Sequence, residues 1–591
     1  MYKIQIKDRN YSSFSIINMK NNNIENNIIN DFCPIKYKLF NNDEFIFNNN
    51  NDSIEIRNSN IRNLHEIPAV LILANNKSYG RQSDKKNAKL LYKCIPNDPL
   101  LPAFLVPYEI KQTAFSKVFL NLYVTIIFSH WDDKSPVGTL TQTIGAVNNL
   151  EHYYDYQLMC KSLNHSIKTF SKHTIQSIQS VKNNVSVIDK NIDNKKSIID
   201  NMIPYYPTFE DRTNYNEWKI FSIDPLHSVD FDDAFSIKNI NQHTVLISIY
   251  IANVRIYIDF LNLWDHFSDR ISTIYLPTRK LSMLPTILSD DICSLKSGEK
   301  RFAFTMDLTI VQNNIISIKF LNSTIKVFKN FVYEEASLLN NAHYNKMKQQ
   351  ATILLLKYPF LQTINDSHEV VSYFMLLMNH FTALELMKCK EGIFRTTIHN
   401  SNSNSLKTPD NMTLSSDIYN SIKCWSFEQG IYTNNLDNLH HKQLNMDAYI
   451  HITSPIRRIV DLLNIIIFQK TAGFCTLSKN AHNFYNDWIV KIDYINQHSK
   501  SIKKLQNNFS LLHACNNNSD ILSILHEGII FSKENNKDLL FQCMVYLPEL
   551  KLYSKMVCEK EFEEFSKGKF KILPFENETT FKKKIRLQLI E

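Results

Sequence analysis

The chain has 591 residues, 44% of them hydrophobic and 37 of them phenylalanine, enough for several cores, since a single core stops growing well short of this length. Only 9 glycines occur and no glycine-rich phosphate loop is found, so a nucleotide cofactor is not expected. A net charge of +8 favours a polyanionic partner, and 10 cysteines without a C-x-x-C pair point to neither a zinc ribbon nor a disulfide framework, but to a reducing, intracellular compartment.

In chain order, the N-terminal Met-Tyr-Lys-Ile-Gln-Ile-Lys lacks the apolar core of a signal peptide. No apolar run approaches the roughly 18 residues of a membrane span, so no membrane association is expected. Asparagine runs at Asn21–Asn23 and Asn48–Asn51 read as loops between short strands. Ala69–Leu73 reads as a strand and Asn75–Gly80 as a turn; a second short-strand unit follows from Pro102 through Gly145. Two consecutive small all-β units suggest barrels of the OB type, which often bind single strands. Residues Lys161–Asn201 are polar and read as a connecting helix or linker.

The run Phe221-Ser-Ile-Asp-Pro-Leu-His-Ser-Val-Asp-Phe-Asp-Asp-Ala-Phe235 places Asp224, Asp230, Asp232 and Asp233 within ten residues. Carboxylates this close repel one another, and hard oxygen ligands suit Mg²⁺ or Mn²⁺. Strand-like segments on both flanks pin the cluster in place, which distinguishes it from a solvated acidic turn. Thr244–Ile251 alternates as a strand, and Val370–Lys390 carries apolar residues at helical spacing. Asn400–Asn411 is a polar loop. In Thr453-Ser-Pro-Ile-Arg-Arg458, Ser454 is expected to cap a helix whose first turn carries Arg457 and Arg458. Two arginines at the positive end of a helix favour a bound anion, although Asp461 could neutralise one of them. Aspartates for metal plus arginines for phosphate suit phosphodiester hydrolysis by water. The tail from about His526 is strand-like again and ends in the basic run Phe581–Arg586, a third candidate barrel.

At this point the sequence resembles the RNase II / RNase R (RNB) superfamily of 3′→5′ exoribonucleases, which includes the exosome catalytic subunit. The resemblance rests on Ile223–Ala234, Ile249–Val254, Tyr275-Leu-Pro-Thr-Arg-Lys-Leu-Ser-Met-Leu-Pro285 with Cys293-Ser-Leu295, and Tyr449–Arg458, in the family's order. It implies a multidomain α+β fold: cold-shock/OB barrels at 1–95 and 96–165, a linker at 166–205, an α/β catalytic domain at 206–515 and an OB barrel at 520–591. It further implies that Asp224, Asp230, Asp232 and Asp233 organise Mg²⁺ (or Mn²⁺), with Asp232 most critical for cleavage. Arg457 would contact the scissile phosphate with Arg458 beside it, Tyr275 would stack on the 3′-terminal base, and Tyr333 would touch a terminal nucleotide. The expected protein is a free-standing monomer, cytoplasmic or in another intracellular compartment (host cytoplasm or virion for a viral enzyme), without the exosome subunit's endonuclease domain. It would hydrolyse single-stranded RNA by a two-metal mechanism.

The sequence departs from the family pattern in three places. Ser372 and Tyr373 stand where paired acids are usual, Arg395-Thr-Thr397 replaces Arg-x-His, and Ile465-Ile466 replaces a His-Arg pair. One of the missing acids typically meets the ribose, so recognition of the 2′-hydroxyl does not carry over. A protein that binds RNA without cutting it is the alternative expectation.

Overall fold

The computed structural model describes residues 1–24, 32–48, 53–82, 89–110, 119–188, 198–396, 418, 421–422, 425, 430–437, 439–441, 444–535, 541–559 and 562–590. The expected loop at Asn400–Asn411 and Thr397 lie outside them. By internal packing the chain forms two units, Met1–Asn164 with Asn507–Glu591, and His165–Gln506.

In the first unit, β1 (Tyr2–Ile6), β2 (Phe14–Asn18), β3 (Glu44–Asn48) and β4 (Ser53–Asn58) form an antiparallel sheet in the order β2-β1-β3-β4. A closed barrel follows, made of β5 (Ile67–Leu71), β6 (Leu90–Pro96), β7 (Phe104–Tyr108), β8 (Leu122–His130) and β9 (Val137–Ala146) in the order β5-β6-β7-β9-β8. The border expected at 95/96 is therefore corrected: it falls at the end of the barrel's second strand, and among the described residues the strands before 60 form an open sheet. The shift has a physical cause. Ile4, Ile6, Ile16 and Phe45 of the sheet and Phe104, Val106, Val124 and Ile126 of the barrel belong to one continuous core, so no composition change marks a boundary.

The second unit begins with the helices Lys168–Ile188 and Ile198–Met202, so much of the expected linker is structured. Its centre is a seven-stranded sheet of β10 (Glu210–Arg212), β11 (Phe221–Asp224), β12 (Asp233–Asn239), β13 (Thr244–Ala252), β16 (Lys300–Val311), β17 (Asn314–Lys326) and β18 (Lys329–Val332), ordered β10-β17-β16-β13-β12-β11-β18. The small hairpin β14 (Ile274–Tyr275) and β15 (Lys280–Leu281) stands apart, as does the pair β19 (Phe394–Thr396) and β20 (Ile431–Thr433). β11 runs antiparallel to β12 and parallel to β18, with Asp224 opposite Val332. The end of β11, the start of β12 and the end of β18 thus meet at one edge of the sheet.

The expected helix at Val370–Lys390 is found as Ser367–Cys389, capped by Asp366 and closed by Lys390 in the left-handed conformation. By length and composition this helix could cross a membrane, contrary to the reading that no run comes close. Its Val370, Phe374, Leu377 and Leu386 are fully buried, as in the core helix of a folded domain. The first unit then resumes with β21 (His526–Asn535), β22 (Phe541–Leu547), β23 (Leu552–Cys558), β24 (Lys567–Glu576) and β25 (Lys583–Leu589), ordered β23-β22-β21-β24-β25 around Ile530, Val545, Met556, Phe570 and Ile572.

Candidate active site

Asp224 ends β11 and Asp233 begins β12, so the loop between them hangs from two adjacent strands. Ser294 holds this loop: its hydroxyl donates to the carbonyl of Val229 (2.7 Å) and accepts from the amide of Phe231 (3.0 Å). The amide of Leu295 adds a bond to the carbonyl of Phe231 (3.0 Å). The sequence expected a pinned cluster, and the block Cys293–Leu295 is what pins it.

Asp232 lies deepest, 3% exposed. Its Oδ1 accepts from the amide of Ile456 (2.9 Å) and its Oδ2 from Arg457 Nε (3.0 Å), while Arg457 Nη2 donates to Ser454 Oγ (2.8 Å). The aspartate and arginine motifs, more than 220 residues apart, therefore meet directly. Burial outweighs the arginine and pushes the Asp232 carboxyl up to about 7. The Asp224 carboxyl is also pushed to about 7, by burial first and then by Asp232, against a Ser222 hydrogen bond that lowers it. Asp233 is held well above the carboxylate range by burial and by the charges of Asp224 and Asp232. Asp224 Oδ2 is buried with no hydrogen-bond partner. Buried, mutually repelling carboxylates with an orphaned oxygen fit a hard divalent cation. Among the described residues, however, no three acidic, histidine or cysteine side chains are already closed into a cage.

Asp230 is engaged otherwise. Its Oδ1 accepts from Lys280 Nζ (2.9 Å), which also donates to Asp290 Oδ1 (3.0 Å). Burial opposes the lysine's charge, but the two carboxylates outweigh it and hold its ammonium above its ordinary range. Lys280 pairs across the β14–β15 hairpin with Tyr275, which is 42% exposed.

Tyr333 follows β18, and its amide donates to the carbonyl of Asp224 (3.1 Å). Its ring stacks on His368, with centroids 3.6 Å apart and planes 12° from parallel, so one of its faces is covered.

The expected cap at Ser454 is corrected. The helix runs Ile459–Thr471 with Arg458 as its extended N-cap, and a turn over residues 455–457 precedes it. Arg457 is thus outside the helix. Asp461, fully buried, accepts from Arg458 Nη2 (2.8 Å) and from the amide of Ser454 (2.7 Å), while Ser454 Oγ, the atom that would cap, accepts from Arg457 Nη2 instead. The pairing with Asp461 weighed for the arginines is therefore formed by Arg458, while Arg457 faces Asp232.

Among the departures, Ser372 is exposed, Tyr373 is fully buried with its hydroxyl on the Tyr358 carbonyl (3.3 Å), and Ile465 and Ile466 are fully buried. Tyr373 and the two isoleucines are core replacements. Arg395 sits over the ring of Tyr432, its guanidinium 5.2 Å from the centroid. Sequence reasoning gave no role to Lys280 or Ser294, although both lie inside recognised blocks. Nothing local in the sequence connects either to the aspartate loop.

The RNB domain family matches residues 212–362 and 338–472. A probable exosome complex exonuclease RRP44 of Caenorhabditis elegans is 26% identical over 245 residues, 41% of this chain and 23% of that protein. Ribonuclease R of Ureaplasma parvum is 32% identical over 152 residues, 25% of this chain and 21% of that one. The alignments thus span under a quarter of these two curated relatives. Among solved structures, Mycoplasma genitalium RNase R in complex with ribose methylated single-stranded RNA superposes with a TM-score of 0.61 at 15% identity, covering 100% of both chains. Yeast Ssd1, a pseudonuclease, gives 0.57 at 13% identity over 96% of this chain and 80% of that one. All eight residues singled out from the sequence fall within the matched region. With the motifs in order and within the matched segment, residues 212–472 of the chain form a domain of the RNB family.

Proposed function

We propose that the chain is a 3′→5′ exoribonuclease that hydrolyses single-stranded RNA to nucleoside 5′-monophosphates with Mg²⁺ or Mn²⁺. The observation that carries this reading is the junction of Asp232 with Arg457 and the Ile456 amide, beside the unpartnered oxygen of Asp224. Asp224 and Asp233 hold the ion. When bound, it supplies positive charge for the phosphate oxygens and for the attacking water. Asp232 fixes the orientation of Arg457, whose guanidinium balances charge on the phosphate. The exposed Tyr275 stacks on the terminal base, which selects an end but no sequence. The barrel β5–β9 has the strand order of an OB fold, and the five-stranded sheet β21–β25 shares its pairings of first with second, second with third, first with fourth and fourth with fifth strand, which supports a role for both in guiding a single strand.

The test is a 5′-labelled single-stranded RNA incubated with Mg²⁺ and resolved on a sequencing gel. Wild type is expected to shorten it progressively from the 3′ end, and Asp232→Asn to be slower by about 100-fold or more, the loss typical of removing a group that positions transition-state charge. Equal rates would sink the proposal.

A second reading, an RNA-binding protein without catalysis, is favoured by the likeness to a pseudonuclease and by the apolar replacements Ile465 and Ile466. Tight binding with no shortening in either Mg²⁺ or Mn²⁺ would select it.

A further inference from the structure

Lys280 has no place in the proposed chemistry, yet, like Arg457, it is bonded directly to an aspartate of the loop. Its ammonium bridges Asp230 (2.9 Å) and Asp290 (3.0 Å), carboxylates that come from the loop after β11 and from the helical turn Leu288–Ile292. The bridge is built rather than incidental. The β14–β15 pairing fixes the backbone of Lys280, and Ser289 Oγ donates to Asp290 Oδ1 (2.6 Å) to orient the second acceptor. The pair is largely sheltered, with the side chain of Asp230 13% exposed and that of Lys280 25%. A sheltered ammonium shared by two carboxylates neutralises charge where a metal ion would otherwise be needed.

We propose that Lys280 is a resident counter-ion that takes the place of one divalent cation, so that the site binds a single ion at Asp224 and Asp233. Asp230 is then a partner of Lys280 and not a metal ligand. This inference rests on the reading of Asp224 and Asp233 as the metal-binding pair. It also bears on the two-ion expectation, because the carboxylate that a second ion would need is occupied. Arg457 lies on Asp232 and Lys280 is shared by Asp230 and Asp290, which leaves Asp224 and Asp233 as the pair for one divalent ion.

The experiment counts Mn²⁺ bound to the full-length protein by electron paramagnetic resonance of the free ion, with activity left out of the readout. Wild type is expected to bind one Mn²⁺. Lys280→Met, which keeps the stem and removes the charge, is expected to bind two, because Asp230 and Asp290 are released to a cation. Lys280→Arg is expected to return to one, with circular dichroism melts showing that each variant is folded. Asp224→Asn with Asp233→Asn in the wild-type background is expected to bind none.

Two ions on wild type, or one ion on a folded Lys280→Met, would overturn the counter-ion role while leaving the metal pair standing. Should the Asp224/Asp233 double variant bind as wild type does, the reading of the metal pair itself fails, and the proposal with it. Cleavage of labelled RNA is scored separately, so either failure is distinguishable from loss of the exonuclease reading.

Discussion

Ser294 shows how one hydroxyl can position a site without touching substrate. It bonds the loop at both Val229 and Phe231, just before the buried Asp232. Ser294→Ala leaves a half-buried carbonyl and amide without their protein partner, at a cost of about 1 kcal/mol in stability. Urea unfolding should show the shift in midpoint, and Mg²⁺-dependent cleavage should fall with it. Tyr275 is the opposite case, with 42% of its surface exposed. Tyr275→Ala is expected to weaken binding of single-stranded RNA by about 1–3 kcal/mol, the worth of one stacked base, with little change in melting temperature. Fluorescence anisotropy with labelled RNA would check it.

At the level of elements, the site exists because a sheet edge meets the turn before a helix. Asp232 accepts from the Ile456 amide, Thr273 donates its amide to the Arg457 carbonyl (3.0 Å), and Asp461 reaches back to Ser454 and Arg458. These contacts hold residues 455–457 in a turn and delay the helix to Ile459. Local capping rules favoured Ser454, and they fail because its hydroxyl oxygen accepts from the Arg457 guanidinium and the helix begins only at Ile459. Asp461→Ala would remove the acceptor from a partly buried guanidinium and a buried amide together. It is expected to destabilise the second unit by about 3 kcal/mol, the cost of breaking a buried pair from one side. Denaturant unfolding of the full chain, followed by tryptophan fluorescence, would measure this. An unchanged midpoint would show that Arg458 finds solvent instead.

For the molecule as a whole, charge is the quantity that matters for a polyanionic substrate. A net charge of +8 coexists with a carboxylate-rich site, so basic groups predominate over the rest of the chain, among them Lys582, Lys583 and Lys584 at the start of the last strand. RNA affinity should accordingly fall by about 10–100-fold between 50 and 200 mM salt, as expected for a handful of phosphate contacts to a single strand. A salt-independent affinity would mean that stacking, not phosphate contact, dominates binding. What the sequence determined by itself were the features encoded over short range: the alternation of β13, the core helix Ser367–Cys389, and motifs whose residues lie side by side, such as the four aspartates. Only the tertiary structure decided which of those aspartates is left for a cation. Asp230 is claimed by Lys280 fifty residues away and Asp232 by Arg457 more than two hundred away, whereas Asp224 keeps a buried oxygen without a partner. The same holds for the barrel border, because one core spans the sheet and the barrel. Partner choice between distant charges depends on which strand ends the fold brings to one edge, and spacing along the chain carries no record of that.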